Sequence, residues 1–323
     1  MRDPRFWQED GFLATAMTPL SLLWRAGGCV RTMKTTPRHP GCPVFCVGNF
    51  TVGGAGKTPT ALALFDLLTA LGRTPHFVSR GYGGSIRGPH RVDPESDRAD
   101  QVGDEPLLLA ARGPTWVSRE RFLGAEMARA AGADVIILDD GLQNPSLIKD
   151  CSFAVIDSQY GIGNGRVIPA GPMREPLDSG LEKVRAIILI GDETPDFITN
   201  LHASVPVVRA RIETENGADF AHQRVLAFAG IGRPAKFYES LQQCGAMIAE
   251  TQDFADHHPF STQELSDLRT RAQTLGARLV TTQKDLMRLP SENRSGISSL
   301  NIRLVFDAPD QLNQIVKTVL ADG

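Results

Sequence analysis

Short apolar runs alternate with longer amphipathic segments along most of the chain. The runs are rich in β-branched and aromatic side chains, as is typical of strands buried on both faces: Val44–Val47, His76–Ser79, Thr115–Ser118, Val135–Leu138, Phe153–Ile156 and Ile187–Ile190. Between them, Thr58–Leu71 and Arg121–Ala131 have helical periodicity and stop before a glycine, the usual helix end signal. The alternation predicts an α/β fold with a doubly wound, mostly parallel sheet.

A second, shorter alternation follows the polar stretch 213–223. Its strand-like runs are Val225–Ala229, Met247–Ala249, Leu279–Thr282 and Ile302–Phe306, with helices predicted after Pro234 and Ser261. The pattern predicts a smaller α/β domain, so we expect three segments: an N-terminal helix at 1–35, a larger domain at 36–215 and the smaller domain at 216–323.

The first segment contains an apolar stretch, Phe12–Trp24. Its large side chains recur at helical spacing and form one stripe: Leu13, Met17, Leu20 and Trp24. Basic residues that suit anionic lipid headgroups come next: Arg25, Arg31 and Lys34. The stripe fits a membrane surface or the protein's own domain, but thirteen residues are too few to span a bilayer.

The composition argues against a nucleic-acid partner and against a zinc site. A net charge of −3 over 323 residues lacks the basic excess typical of nucleic-acid binding, so we expect no nucleic-acid partner. The five cysteines are scattered, without the paired spacing of a zinc site, which favours reduced thiols in the cytoplasm.

A glycine-rich turn links the first predicted strand to the first helix of the larger domain. It contains Thr51, Val52, Gly53, Gly54, Ala55, Gly56, Lys57 and Thr58. Such a turn directs backbone N–H groups at phosphates, while the lysine reaches the β/γ-phosphates and the threonine hydroxyl can ligate Mg²⁺. The order strand, glycines, Lys-Thr and helix therefore predicts a nucleoside-triphosphate site, with Thr51 in place of the usual first glycine.

Carboxylates occupy positions that suit such a site. Asp139 and Asp140 end an apolar strand, at the edge where doubly wound sheets bind ligands, and can hold Mg²⁺. Asp104 precedes a helical run, so it is either a helix N-cap or a base for an attacking hydroxyl. His257 and His258 form an adjacent pair, one of which could hydrogen-bond a carboxylate.

Together these motifs resemble one family, the tetraacyldisaccharide 4′-kinases (lipid A 4′-kinases). The similar segments are residues 48–59 (GNFTVGGAGKTP), 79–84 (SRGYGG), 102–108 (VGDEPLL), 139–143 (DDGLQ), 169–176 (PAGPMREP), 254–260 (FADHHPF) and 281–285 (TTQKD). The phosphate loop with threonine at its first position, followed by GDEP and DHH, is a specific combination.

The resemblance implies transfer of the ATP γ-phosphate to the 4′-hydroxyl of a tetraacylated diglucosamine 1-phosphate, with Mg²⁺, in lipid A biosynthesis. It implies an acylated disaccharide lipid substrate and peripheral attachment to the cytoplasmic face of the bacterial inner membrane. It makes Asp104 the base, paired with His257 or His258. It makes further residues phosphate or Mg²⁺ contacts: Lys57, Thr58, Arg121, Asp139, Asp140 and Glu175.

Two departures and one rival interpretation remain. Asn144 stands where the family usually has histidine, and Gln283 where glutamate is common. The rival is a MinD-like regulatory P-loop ATPase, whose loop is similar but has a lysine where this chain has Val52. Dependence of ATP turnover on an acylated disaccharide separates the kinase from the switch.

Overall fold

The computed structural model describes residues 4–201 and 205–322. Within them, nine strands form a large sheet in the order β13-β8-β7-β6-β1-β5-β2-β4-β3. These strands are β1 (Val44–Gly48), β2 (Pro75–Ser79), β3 (His90–Arg91), β4 (Thr115–Val117), β5 (Val135–Asp139), β6 (Cys151–Asp157), β7 (Ala186–Ile190), β8 (Val207–Thr214) and β13 (Ile302–Phe306). The central strands pair in parallel, which confirms the predicted mostly parallel sheet.

Helices cover both faces of this sheet. They are α2 (Lys57–Ala70), α3 (Ala99–Val102), α4 (Asp104–Ala110), α5 (Arg121–Ala130), α6 (Leu177–Leu181) and α7 (Asp196–Thr199). Leu64 and Leu68 of α2 pack on one face, whereas Phe122 and Ala125 of α5 pack on the other. The central strands β1 and β5 are fully buried between these layers, which explains their continuous apolar sequences.

A smaller parallel sheet follows in the order β10-β9-β11-β12. Its strands are β9 (Arg224–Ala229), β10 (Met247–Asp253), β11 (Arg278–Thr282) and β12 (Ile297–Leu300), and its helices are α8 (Pro234–Gln243), α9 (Thr262–Thr274) and α10 (Gln283–Arg288). Helix α8 packs on one face and α9 on the other. Ser261 caps α9 in the predicted capping box with Glu264. We call this part the smaller unit.

The chain does not remain in the smaller unit after β12. Strand β13 pairs antiparallel with β8, and helix α11 (Pro309–Asp322) places Leu312 and Val316 in the core of the large sheet. The predicted segment 216–323 is therefore wrong for residues 302–322, because apolar periodicity marks a strand without showing which sheet it joins. The crossover is at Asn301, whose backbone N–H donates to Asn216 Oδ1 at 2.8 Å. The boundary near residue 216 stays a prediction.

The predicted N-terminal helix is α1 (Phe12–Met33); residues 1–3 of the predicted segment lie outside the described part. Small residues face the protein: Ala14 and Ser21 are buried, and Ser21 Oγ donates to the Val167 carbonyl at 2.7 Å. Large apolar side chains are exposed instead, including Phe12, Leu22 and Leu23. Among the described residues, no helix combines the length and apolar character that a bilayer crossing needs.

Candidate active site

The glycine-rich turn places Lys57 and Thr58 at the start of α2. Gly53 and Gly56 have positive φ angles of 101° and 90°, which glycine adopts without strain. Thr51 does not need that conformation and instead lies buried, bridged to Met173. The loop thus tolerates threonine at its first position and still presents a helix N-terminus to an anion.

Lys57 is buried at the base of this loop. Its Nζ donates to the Gly53 carbonyl at 3.3 Å and lies 4.0 Å from Asp140 Oδ1. The lysine charge is therefore held between the loop and the end of β5, where the phosphate chain of a nucleotide would lie.

Asp139 and Asp140 end β5 in different environments. Both oxygens of Asp139 are buried and have no hydrogen-bond partner among the described residues. Burial, then the charges of Glu105 and Asp140, raise its pKa. Asp140 accepts a hydrogen bond from Arg174 at 2.9 Å; burial raises its pKa, but Lys57 and Arg174 outweigh this and lower it.

Two buried oxygens without partners are costly unless something compensates them. Mg²⁺ prefers oxygen ligands and takes only one or two protein carboxylates, with water and phosphate completing the shell. Asp139, together with the Thr58 hydroxyl at the start of α2, therefore fits a magnesium ion bound with a nucleotide. The described residues contain no group of three or more acidic, histidine or cysteine side chains that would hold a metal alone.

Arg121 begins α5 and lies within electrostatic range of Asp139 and Asp140. Its Nη1 donates to the carbonyls of Ser118 and Arg119, both at 3.2 Å, while its buried Nε has no partner in the described part of the chain. Burial, and then the charge of Arg80, lower its pKa to about 10. A buried guanidinium with a free donor suits an incoming anion.

Glu175 lies at the edge of this group. Its Oε1 accepts from Gln143 Nε2 at 3.1 Å, and its other oxygen pairs with Lys183. Gln143 also accepts from Arg174, which links Glu175 to Asp140 through two side chains. Its predicted role as a metal ligand stays a prediction.

Asp104 is the first residue of α4, and Gly103, with a φ of 92°, occupies the N-cap position. The N-cap interpretation of Asp104 is therefore wrong. The side chain is 4% exposed, and its Oδ2 lies 3.2 Å from His257 Nδ1. Burial alone raises the pKa of Asp104, but the hydrogen bond from His257 and the charges of Lys284 and Arg288 hold it well below its usual range.

The two adjacent histidines have different partners. His257, at a positive φ of 58°, faces Asp104, and its ring meets the Tyr82 ring edge-on at 5.8 Å. His258 Nε2 lies 2.9 Å from Glu264 Oε1, and its ring stacks on Phe254. His257 thus reaches across to the larger sheet, whereas His258 holds its own loop on α9.

The sequence interpretation missed two cations beside Asp104. Arg288 donates to Oδ2 from Nε at 2.8 Å and from Nη2 at 2.6 Å. Lys284 Nζ lies 3.6 Å from the same oxygen and 3.1 Å from Glu105 Oε1. Their i, i+4 spacing on α10 was visible in the sequence as one helix face, but nothing there indicated Asp104 as the partner.

A cavity of about 490 Å³ lies between the larger sheet's α3–α4 region and the smaller unit. Its walls include Asp104, His257, Tyr82, Arg98 and Arg288. Glu105, next to Asp104, raises the pKa of Asp139, so the two carboxylate groups lie within electrostatic range. The cavity therefore has a paired carboxylate and histidine in its wall, and this wall lies within electrostatic range of the end of β5.

The chain is similar to known proteins along nearly its whole length. A family model described as tetraacyldisaccharide-1-P 4′-kinase matches residues 13–321. Proteins named tetraacyldisaccharide 4′-kinase from Rhodospirillum rubrum and Methylorubrum populi are 46% and 49% identical to the chain over 314 and 313 residues, which covers 96% and 95% of it and 95% of each relative.

One solved structure is also similar along the chain. The crystal structure of LpxK from Aquifex aeolicus in complex with ATP superposes with a TM-score of 0.77 at 25% identity, covering 96% of this chain and 100% of that one. None of these matches supports the regulatory-ATPase alternative.

Proposed function

Since the chain belongs to the tetraacyldisaccharide-1-phosphate 4′-kinase family, we propose that it transfers the γ-phosphate of ATP to the 4′-hydroxyl of a tetraacylated disaccharide 1-phosphate. This reaction is a step of lipid A biosynthesis. The observation that carries the proposal is the pairing of the buried Asp104 carboxylate with His257 in the cavity wall, within electrostatic range of the end of β5. A phosphate loop alone would serve any nucleotide enzyme, whereas the paired carboxylate gives it an acceptor site.

The phosphate loop, Lys57 and Arg121 supply the charge that phosphoryl transfer needs. Residues 51–58 hold the phosphate chain through backbone N–H groups, and Lys57 neutralises the β- and γ-phosphates. Arg121 takes up the negative charge that develops on the transferred group, through its unpartnered Nε. Asp139 and Thr58 would hold Mg²⁺, which shields phosphate charge when it is bound, with Asp140 and Glu175 around it.

Asp104 accepts the proton of the acceptor hydroxyl. Its low pKa keeps it ionised at neutral pH, and a weak base suffices because the hydroxyl proton becomes acidic only as the bond to phosphorus forms. His257 orients the carboxylate and shares the proton; positioned base catalysis of this kind contributes about 10²–10⁴-fold. His258 supports the loop that carries His257.

We further infer that the protein works peripherally on the cytoplasmic face of the bacterial inner membrane. Support comes from α1, whose small residues face the protein and whose exposed side includes Phe12, Leu22 and Leu23. A contiguous exposed apolar surface with nearby basic residues is typical of interfacial helices. A lipid acceptor that stays in the bilayer requires such a surface.

The test measures ADP and phosphorylated lipid with and without the acylated disaccharide 1-phosphate, in Mg²⁺ and in EDTA. We expect ADP formation to depend on the acceptor, to match lipid product one to one and to stop in EDTA. ATP hydrolysis at an equal rate without acceptor, with no phosphorylated lipid, would show that the chain is a nucleotide switch.

A further inference from the structure

Arg288 carries an unusual set of contacts for a residue of the smaller unit. Its side chain is 5% exposed. Nε and Nη2 both donate to Asp104 Oδ2, while Nη1 donates to the Gly230 carbonyl and to Asp285. One guanidinium thus joins α4 of the larger sheet to the loop after β9 and to its own helix.

The anchor on the smaller unit is itself fixed. Asp285 is buried; its Oδ2 accepts from the Gly230 backbone N–H at 3.0 Å and from the Thr282 hydroxyl at 2.8 Å. Each end of Arg288 is therefore held by buried hydrogen bonds, so the guanidinium cannot turn without breaking several of them. Buried, charge-assisted pairs with this geometry give orientation more than stability.

As a result, the two carboxylate oxygens of Asp104 have different hydrogen-bond partners. Oδ2 receives two hydrogen bonds from Arg288, lies beside His257 Nδ1 and is 3.6 Å from Lys284 Nζ. Oδ1 accepts only the adjacent Glu105 backbone N–H, at 3.1 Å, among the contacts of the described residues. An oxygen with one modest hydrogen bond retains a lone pair for a further donor.

We propose that Arg288 is a positioning residue for phosphoryl transfer: it fixes Oδ2 of Asp104 to the smaller unit and leaves Oδ1 to accept the proton of the acceptor hydroxyl. The inference rests on the proposed function and assigns the orientation of its base. Because the anchor lies on the smaller unit, the base is aligned only while the two parts of the cavity wall are joined.

The charge of Arg288 has a second effect on the same carboxylate. The groups facing Asp104 are the His257 imidazole from the loop after β10 and the Lys284 and Arg288 cations from α10; Glu105 adjoins it on its own helix. Removing Arg288 leaves the burial that raises the pKa of Asp104 less opposed. Because Asp104 must be ionised to act, the acidic limb of the pH–rate profile then moves to higher pH.

The experiment compares Arg288→Met, Arg288→Lys and the control Arg269→Met. Arg269 is a partly buried arginine of the smaller unit whose Nη2 donates to the carbonyls of Asn293 and Ser295. Steady-state kinetics on detergent-dispersed acceptor give kcat and KM from pH 3 to 9, so that the range includes the acidic limb set by Asp104. ATP affinity is measured by titration, and rates are expressed per folded molecule. The unmodified protein is assayed first for turnover that depends on the acceptor. If it shows none, the proposed function itself is refuted.

For Arg288→Met we expect kcat to fall about 10²-fold, the loss typical of a misaligned reacting group, with ATP affinity within threefold and the acidic limb at higher pH. Arg288→Lys retains the positive charge but lacks the planar guanidinium fork. Its kcat therefore stays at least tenfold below that of the unmodified protein, while the acidic limb of its pH–rate profile lies nearer to that of the unmodified protein. If Arg288→Met does not fold, the lysine variant decides: wild-type kcat in Arg288→Lys overturns the proposal. A loss in Arg288→Met no larger than in Arg269→Met, or an unmoved acidic limb, also overturns it.

Discussion

Replacing Leu22 and Leu23 together by glutamine tests whether α1 docks on lipid. Their side chains are 58% and 70% exposed, so the folded protein loses little packing, and glutamine is a good helix former. Full burial of a leucine side chain is worth ~1.5–3 kcal/mol. Covering the exposed fractions of both side chains with lipid is then worth about 2–4 kcal/mol in total. At 1.4 kcal/mol per factor of ten, this corresponds to roughly a 30- to 700-fold change in the partition coefficient.

The assay is co-sedimentation with vesicles of anionic phospholipid, with melting temperature measured in parallel. We expect affinity to fall within that range, activity on membrane-embedded acceptor to fall with it, and activity on detergent-dispersed acceptor to remain. The matched control replaces Ile212 and Met247, exposed apolar residues elsewhere on the surface, and should leave vesicle binding unchanged. Unaltered vesicle affinity in a folded Leu22→Gln/Leu23→Gln protein refutes membrane docking, and a large fall in melting temperature shows that these residues pack on protein instead.

Three further changes test the candidate site. Lys57→Ala should leave the fold intact and reduce kcat by orders of magnitude because the β/γ-phosphates lose their fixed counter-charge; near-normal turnover removes the phosphate-loop assignment. Asp104→Asn should lower kcat per folded molecule by about 10²–10⁴-fold with ATP affinity unchanged, and it should lower the melting temperature because Arg288 loses its partner; unchanged kcat contradicts the base role. The raised folded pKa of Asp139 means that the metal-free protein loses stability as pH rises above about 4, the unfolded value. Asp139→Asn should therefore raise the melting temperature of the metal-free protein at neutral pH and abolish turnover. A lower melting temperature would contradict the inference that the buried Asp139 carboxylate destabilises the metal-free protein.

Local sequence was sufficient for the phosphate loop and the large parallel sheet. The loop is contiguous, and its strand, glycines and helix start follow in order, so its geometry needs no distant contact. Asp139 and Asp140 could be proposed for the same reason, since they end a buried strand. Asp104 and the two histidines could be proposed separately, but only the fold shows that His257, not His258, faces the Asp104 carboxylate.

Long-range pairing accounts for what the sequence did not reveal. Arg288 lies 184 residues from Asp104, and no periodicity connects positions on different sheets. The same limit applies to β13, whose apolar pattern suited the smaller unit equally well. The N-cap interpretation of Asp104 failed because Gly103, with its positive φ, occupies the N-cap position of α4 and Asp104 is the first helical residue.

The return of β13 and α11 to the large sheet sets an order for assembly during synthesis. The ribosome completes residues 44–214 first and then the whole smaller unit before it makes the strand that pairs with β8. Until then β8 has an unpaired edge, and the hydrophobic surface that Leu312, Val316 and Val319 later cover stays open to water. Exposed strand edges and apolar faces promote aggregation. The nascent larger part must therefore wait for the smaller unit, which folds as an insertion and brings the last strand to its place.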